Sequence, residues 1–279
     1  MSLQIIALES LDAEQLAAVR KLVRDSPGGA DTPPLSEHGM LALAEPGRHL
    51  LAQDGGTVLG YAQSDGDAYE LVAADPDVAE QLLRQLPAGS RLWAHGEQSM
   101  ASRAAVRAGL RPVRTMLQLR ATLAEVAEQP LPAGVRIRPF VPGQDDAAWL
   151  TVNARAFAGH PEQGRWRQHD LDQRLHADWF DPAGFLLAVS DGRILGYHWT
   201  KVHTELDPPL GEVYVLGVDP DAQGIRLGSA LLAAGLRHLL ERGLHTVLLY
   251  VEQDNPAAVR MYRRAGFETF STDFQYVAN

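Results

Sequence analysis

Apolar and polar positions alternate in blocks along the chain, and two of these blocks share seven of their twelve residues. Leu50–Tyr61 reads LLAQDGGTVLGY and Leu186–Tyr197 reads LLAVSDGRILGY, an ungapped match at an offset of 136. Each pattern predicts a β-hairpin, with an apolar strand, a polar Gly-containing turn and a second strand. Leu71–Asp77 (LVAADPD) lies over Val215–Asp221 (VLGVDPD) at an offset of 144, and Ala108-Gly109-Leu110 lies over Ala265-Gly266-Phe267 at 157. The halves are therefore two copies of one αβ unit. The growth of the offset means that the first copy lacks thirteen residues where the second carries a Gly-containing turn and the following helix, and Ala105 stands where the second copy has Tyr262.

In the second copy Val213–Val218 (VYVLGV) is a nearly continuous apolar run, the pattern of a strand covered on both faces, and Asp219-Pro220 ends it. The segment that follows, DAQGIRLGSALLAAGLRHLLERG, places Leu232, Leu236, Leu239 and Leu240 at helical spacing, with Gly243 as the stop. Thr246–Val251 (TVLLYV) predicts another buried strand. Asn255-Pro256 then starts a helix on which Ala258, Tyr262 and Gly266 share one face. Between the copies, Leu123–Ala127 has a helical pattern that Glu128–Gly134 (EQPLPAG) breaks, and GVRIRPF reads as the first strand of the second domain. The expected domains are 1–128 and 135–279, in an α/β fold with mixed sheets and two tandem units.

The chain has 279 residues, within reach of two domains at about 100–200 residues each. Its 46% hydrophobic and 22% charged residues are those of a globular protein. The absence of cysteine excludes disulfides, thiol nucleophiles and thiolate metal sites. A net charge of −10 disfavours nucleic acid and suits a cationic substrate such as an amine. No apolar run approaches a membrane span, and MSLQIIALESLDAEQL lacks the pattern of a signal peptide, so a cytoplasmic monomer is expected. His160, His169, His176, His198 and His203 lack metal-motif spacing, and no metal is expected.

A strand, a Gly-containing turn and a helix leave backbone N–H groups aimed at an incoming anion, which makes Gln223–Ser229 a candidate phosphate cradle. This turn and the pattern N-x-x-A-x-x-x-Y-x-x-x-G-F at Asn255–Phe267 resemble the GNAT acetyltransferase superfamily. Gln223 and Gly228 match its Gln/Arg-x-x-Gly-x-Gly/Ala signature, whereas Arg226 stands in place of the first glycine. The resemblance implies acetyl-CoA as cosubstrate. It implies contacts from Leu216, Gly217 and Val218, from the turn residues Gln223, Gly224, Ile225, Arg226, Leu227, Gly228 and Ser229, and from Asn255, Pro256, Ala257, Ala258, Val259 and Arg260. It further implies that the strand bearing Leu216 and Val218 splays from its neighbour. Acyl transfer to an amine needs a base and an acid, for which Glu212, at the opening of the strand, and Tyr262 are the candidates.

Ala156–Trp166 (AFAGHPEQGRW), Trp179–Gly184 (WFDPAG) and Tyr197–His203 (YHWTKVH), with the tandem arrangement, resemble the mycothiol synthase family. That resemblance implies the cysteinyl amine of desacetylmycothiol as acceptor, with contacts from Glu37, Glu162, Lys201, Glu212 and Tyr250. Taken alone, these residues have plainer readings: Glu37 as a charge in the Pro-rich loop DTPPLSEHG, Lys201 and Glu162 as a surface ion pair, Glu212 as a solvated strand end, and Tyr250 as core. Another amine, such as an aminoglycoside or a peptide N-terminus, and a noncatalytic CoA-binding scaffold are the alternative functions.

Overall fold

The computed structural model describes residues 3–26, 33–64, 68–160, 163–204 and 206–278. In chain order its elements are β1 (Gln4–Leu8), α1 (Ala13–Asp25), α2 (Glu37–Ala42), β2 (Arg48–Asp54), β3 (Thr57–Ser64), β4 (Tyr69–Ala73), α3 (Pro76–Leu83), β5 (Arg91–Ala94), α4 (Met100–Arg107) and β6 (Pro112–Thr122). They continue with β7 (Arg136–Pro139), α5 (Asp146–Ala156), α6 (Gln168–Leu175), β8 (Phe185–Ser190), β9 (Arg193–His203), β10 (Leu210–Val218), α7 (Leu227–Glu241), β11 (Thr246–Glu252), α8 (Pro256–Arg264) and β12 (Glu268–Val277). Among the described residues no helix is long and apolar enough to cross a membrane.

The two matching sequence blocks form matching hairpins, β2–β3 and β8–β9. Each turns through two residues at positive φ, Gly55 and Gly56 in one and Asp191 and Gly192 in the other. Positive φ at both central positions is the two-residue turn whose twist suits a hairpin, and Asp-Gly and Gly-Gly are residues that tolerate it. Tyr61 and Tyr197, which end the two blocks, are both fully buried.

The chain divides into two compact units: Met1–Gln118, Val251–Pro256 and Thr269–Asn279 form the first, and Leu119–Tyr250 and Ala257–Glu268 the second. These cuts fall elsewhere than at 1–128 and 135–279, because β12 at the end of the chain pairs with β5, with Phe274 opposite Ala94 and Tyr276 opposite Leu92. The helical pattern at Leu123–Ala127 forms no helix. Leu123 there donates its N–H to the His245 carbonyl at 2.6 Å, and His245 Nδ1 lies 3.1 Å from the Leu123 carbonyl, so its backbone groups are engaged sideways.

In the first unit β1 to β5 pair in order, antiparallel except for β4 with β5. Leu50, Ala52, Leu71 and Ala73 face α3 and α4, while Leu51, Tyr61 and Val72 face α1, so all five residues of β4 are buried. β4 passes through Asp75 directly into α3, and the Asp75 carboxylate caps that helix by accepting from the Asp77 and Val78 N–H groups, each at 2.9 Å. A buried polar clamp lies beside β4. His95 Nε2 is 3.0 Å from Glu70 Oε1 and its Nδ1 is 3.0 Å from Asp273 Oδ2, while Glu70 Oε2 accepts from Ser36 N–H at 3.1 Å. Burial alone would lower the His95 pKa, but the hydrogen bonds it donates to Asp273 and Glu70 outweigh it and raise it to about 10.

In the second unit β7 to β11 pair in order, antiparallel except for β10 with β11. One face packs Trp149 and Val152 of α5 and Leu171 of α6 onto Phe185, Leu187, Trp199 and Val215. The other face packs Leu227 and Leu231 of α7 onto Ala188, Leu216 and Val218. Gly235 on α7 lets that helix settle against β9, since a Cβ there would stand 2.1 Å from the His198 ring.

Candidate active site

β10 organises the site. Among the described residues its parallel pairing with β11 is confined to Gly211 opposite Val247 and Glu212 opposite Leu248, although β10 runs on to Val218. Half of a strand's backbone groups point to each neighbour, so beyond Val213 the edge facing β11 turns peptide groups into the opening, Leu216 and Val218 being in this stretch. Against β9 the ladder shifts register between Val213 and Val215. The extra residue, Tyr214, packs its ring 4.9 Å from Trp179 and 5.5 Å from Trp199. The close approach of Tyr197 to Gly217, whose added Cβ would meet the ring at 2.8 Å, holds the strand on its other side.

Glu212 is the third residue of β10 and does not open it, and at 7% exposure it is no solvated edge charge. It stands directly opposite Lys201. Its Oε2 lies 2.7 Å from His203 Nε2. Lys201 is 5% exposed, and its ammonium sits 4.9 Å from the Trp179 ring centre and 5.7 Å from that of Tyr214. A desolvated ammonium over two aromatic faces is held by the ring quadrupoles, so Lys201 is a buried cation and not a surface charge. Arg174 stiffens the same wall, donating to Tyr214 Oη at 2.8 Å while stacking on Trp166.

Past Val218, the Asp219 carboxylate accepts from Arg155 Nε at 2.8 Å and Nη2 at 3.0 Å, and from the Asp221 N–H. The Arg155 hydrogen bond holds the Asp219 carboxyl below its ordinary pKa, and the guanidinium offsets an anion placed close to the turn. The turn then passes through Gly224 at φ 81° and Arg226 at φ 64°, ψ 17°. The Arg226 position does adopt the left-handed conformation that the signature's glycine serves. Gln223, Gly224, Ile225 and Arg226 are all exposed.

α7 begins at Leu227 with no side-chain cap, as does α5, whereas α1 to α4 are capped by Asp12, Ser36, Asp75 and Ser99. The first N–H groups of a fifteen-residue helix thus face an exposed turn, an arrangement that fits a phosphate. Gly228 in this first turn packs against α8 and the end of β10, its added Cβ falling 3.3 Å from Met261 Sδ and 3.7 Å from Val218 Cγ2.

α8 begins at Pro256, directly after Asn255, and ends in a left-handed Gly266, with Phe267 N–H donating to the Tyr262 carbonyl at 3.1 Å. Ala257 and Arg260 are exposed, and Ala258 and Val259 half-buried. Tyr262 is 7% exposed, edge-on to Phe267, and burial pushes its phenol pKa up. Tyr250 is 44% exposed and is not core. Glu37 is the first residue of α2 in the first unit and not a loop residue, the helix being set by Ser36 Oγ accepting from Gly39 N–H at 3.0 Å. Glu162 lies outside the described residues.

The structure thus brings Glu212 and Lys201 together, and likewise the end of β10, the cradle helix and α8. His203, Trp179 and Tyr214 went unread as members of the site. The alternation in YHWTKVH places Trp199, Lys201 and His203 on one face of a strand and was the available signal.

A family model described as "Acetyltransferase (GNAT) family" matches residues 152–267, which marks that part of the chain as a GNAT acetyltransferase domain. A GCN5-related N-acetyltransferase from Sphaerobacter thermophilus shares the fold with a TM-score of 0.70 at 20% identity, covering 98% of this chain and 94% of that one. A tandem GNAT protein from the clavulanic acid biosynthesis pathway does so with 0.69 at 16%, covering 99% and 98%. Mycothiol acetyltransferase of Streptomyces coelicolor is 47% identical, covering 98% of this chain and 94% of the relative, and that of Nocardia farcinica is 44% identical, covering 97% and 96%. The chain belongs to the mycothiol acetyltransferase family. It is an enzyme, an N-acetyltransferase built from two GNAT-like units.

Proposed function

We propose that the protein transfers the acetyl group of acetyl-CoA to the cysteinyl amine of desacetylmycothiol, forming mycothiol and CoA. The acceptor rests on family membership along nearly the whole chain. The donor rests on one observation above the others: an uncapped helix start behind an exposed left-handed turn, next to a strand that parts from its neighbour. Gln223–Ser229 would hold the pyrophosphate, Leu216–Val218 the pantetheine and thioester carbonyl, and Asn255–Arg260 the adjoining part of the CoA.

In this reading Glu212 takes a proton from the acceptor ammonium. The amine nitrogen attacks the thioester carbon, β10 N–H groups meet the developing oxyanion, the C–S bond breaks, and the Tyr262 hydroxyl supplies the proton to the leaving thiolate. Its upward-shifted phenol is protonated at neutral pH, as an acid must be. No covalent enzyme intermediate is needed. Lys201, Tyr250, Glu37 and Glu162 are assigned to the acceptor. One acetyl-CoA site per chain is proposed, since the first copy lacks the thirteen residues that carry the Gly-containing turn in the second. The protein is proposed to work as a cytoplasmic monomer on this small-molecule acceptor, without metal or nucleic acid.

Purified protein supplied with acetyl-CoA and desacetylmycothiol should yield mycothiol and CoA in equal amounts. No product above a Glu212→Gln, Tyr262→Phe double variant would sink the assignment. Faster turnover of an aminoglycoside or a peptide amine in the same assay would move the acceptor elsewhere.

A further inference from the structure

The proposed base is a buried carboxylate, and such a group can swing about its side-chain torsions unless something fixes it. At Glu212 the fixing group is at hand. Its side chain keeps 10% of its exposure and that of His203 18%, and Oε2 and Nε2 are 2.7 Å apart. At this separation a proton must lie between them, because a carboxylate oxygen and a bare imidazole nitrogen would repel. With Glu212 ionised, the arrangement is an Nε2–H donating to Oε2, a charge-assisted hydrogen bond of the stronger class. His203 closes β9, two residues beyond Lys201 and on its face of the strand, and Lys201 stands opposite Glu212. The ladder that places Lys201 therefore also places the imidazole.

We infer that His203 is a positioning residue for the base: its Nε2–H holds Glu212 Oε2, so that Oε1 is the oxygen that takes the ammonium proton. The inference rests on the reading of Glu212 as the base. His203 touches neither substrate nor leaving group in this role, and the proton it donates to Oε2 stays where it is through the reaction. A glutamine at 203 can supply an N–H from an equivalent place in the side chain, whereas a leucine cannot.

The test is a double-mutant cycle on the full-length enzyme, with acetyl-CoA binding by calorimetry as the check that each variant is folded. His203→Leu should lower kcat about tenfold and leave the acetyl-CoA KM unchanged, with His203→Gln restoring it to within about twofold. Placed in a Glu212→Gln background, His203→Leu should cost nothing further, because the group it orients is gone. The positioning role is overturned if leucine and glutamine are equally damaging, which would indicate a function of the imidazole ring itself. It is overturned equally if the leucine penalty persists in full without Glu212. Wild-type kcat in Glu212→Gln alone is a different result, and would remove the base assignment together with the role built on it.

Discussion

Asp75 and Arg226 precede the helices that follow β4 and β10 in the two units, and they leave those helix starts in opposite states. Asp75 seals α3 with its own carboxylate, accepting two backbone N–H groups. Arg226, in a left-handed conformation and with no cap to α7, leaves the start open and adds a cation to it. The thirteen residues missing from the first copy are those that would have made the difference.

Arg226 carries a conformational cost. A left-handed backbone at a residue with a Cβ costs roughly 1–2 kcal/mol, part of which glycine would return through its freer unfolded chain. Arg226→Gly should stabilise the protein modestly, by up to roughly 1 kcal/mol or about 2–4 °C in Tm. Arg226→Val, β-branched at the same φ, should lower Tm instead. Thermal unfolding followed by circular dichroism distinguishes these directions, and a lower Tm for the glycine variant would contradict the account of the turn.

Tyr262 supplies the proton for the leaving thiolate in the proposed reaction. Tyr262→Phe keeps the ring against Phe267 and removes only the hydroxyl. A loss in kcat on the order of 100-fold is expected, with acetyl-CoA affinity within a few-fold of the parent, as for a group acting in the transition state. Because burial moves the phenol pKa above its ordinary 10.0, no fall in kcat due to Tyr262 ionisation is expected below pH 10. Steady-state kinetics on both proteins across this range measures each point.

The clamp in the first unit should show in the pH dependence of stability. His95 faces Glu70 from β4 and Asp273 from β12, Glu70 in turn accepts from Ser36 N–H before α2, and Trp93 stacks on His95 with Arg114 beyond. Its folded pKa, about 10, lies above the ordinary 6.5, so its contribution is full below about pH 6.5 and fades as pH rises towards 10. For Glu70, burial opposes ionisation but His95 outweighs it, lowering the carboxyl below 4.5, so its share is lost as pH falls through that lower value. The Tm gap between wild type and His95→Gln should be widest near pH 6 and narrow towards pH 10. A gap independent of pH would mean that His95 is neutral in the fold.

Much of this was legible in the chain because it is local. The hairpins share seven of twelve residues without a gap, Pro256 and Gly266 bracket α8, and the leucines of α7 keep helical spacing. The turn before α7 was legible, down to its irregularity at Arg226. What could not be read depends on contacts distant in sequence. Glu70, His95 and Asp273 meet only because β12 pairs with β5, and nothing near Asp273 announces a histidine 178 residues away. Lys201 reads as a surface charge until Trp179 and Tyr214 close over it. Leu123–Ala127 failed as a helix because its first residue's peptide groups are engaged by His245.

One unit alone is proposed to bind the acetyl donor, at the start of α7. Calorimetric titration of the full-length protein with acetyl-CoA tests it most directly, in wild type and in two variants at exposed helix starts. One site per chain is expected, with a large loss of affinity in Arg226→Asp, where a carboxylate is set against the phosphates, and wild-type binding in Asp75→Ala. Two sites per chain, or affinity lost at Asp75 and kept at Arg226, would contradict it.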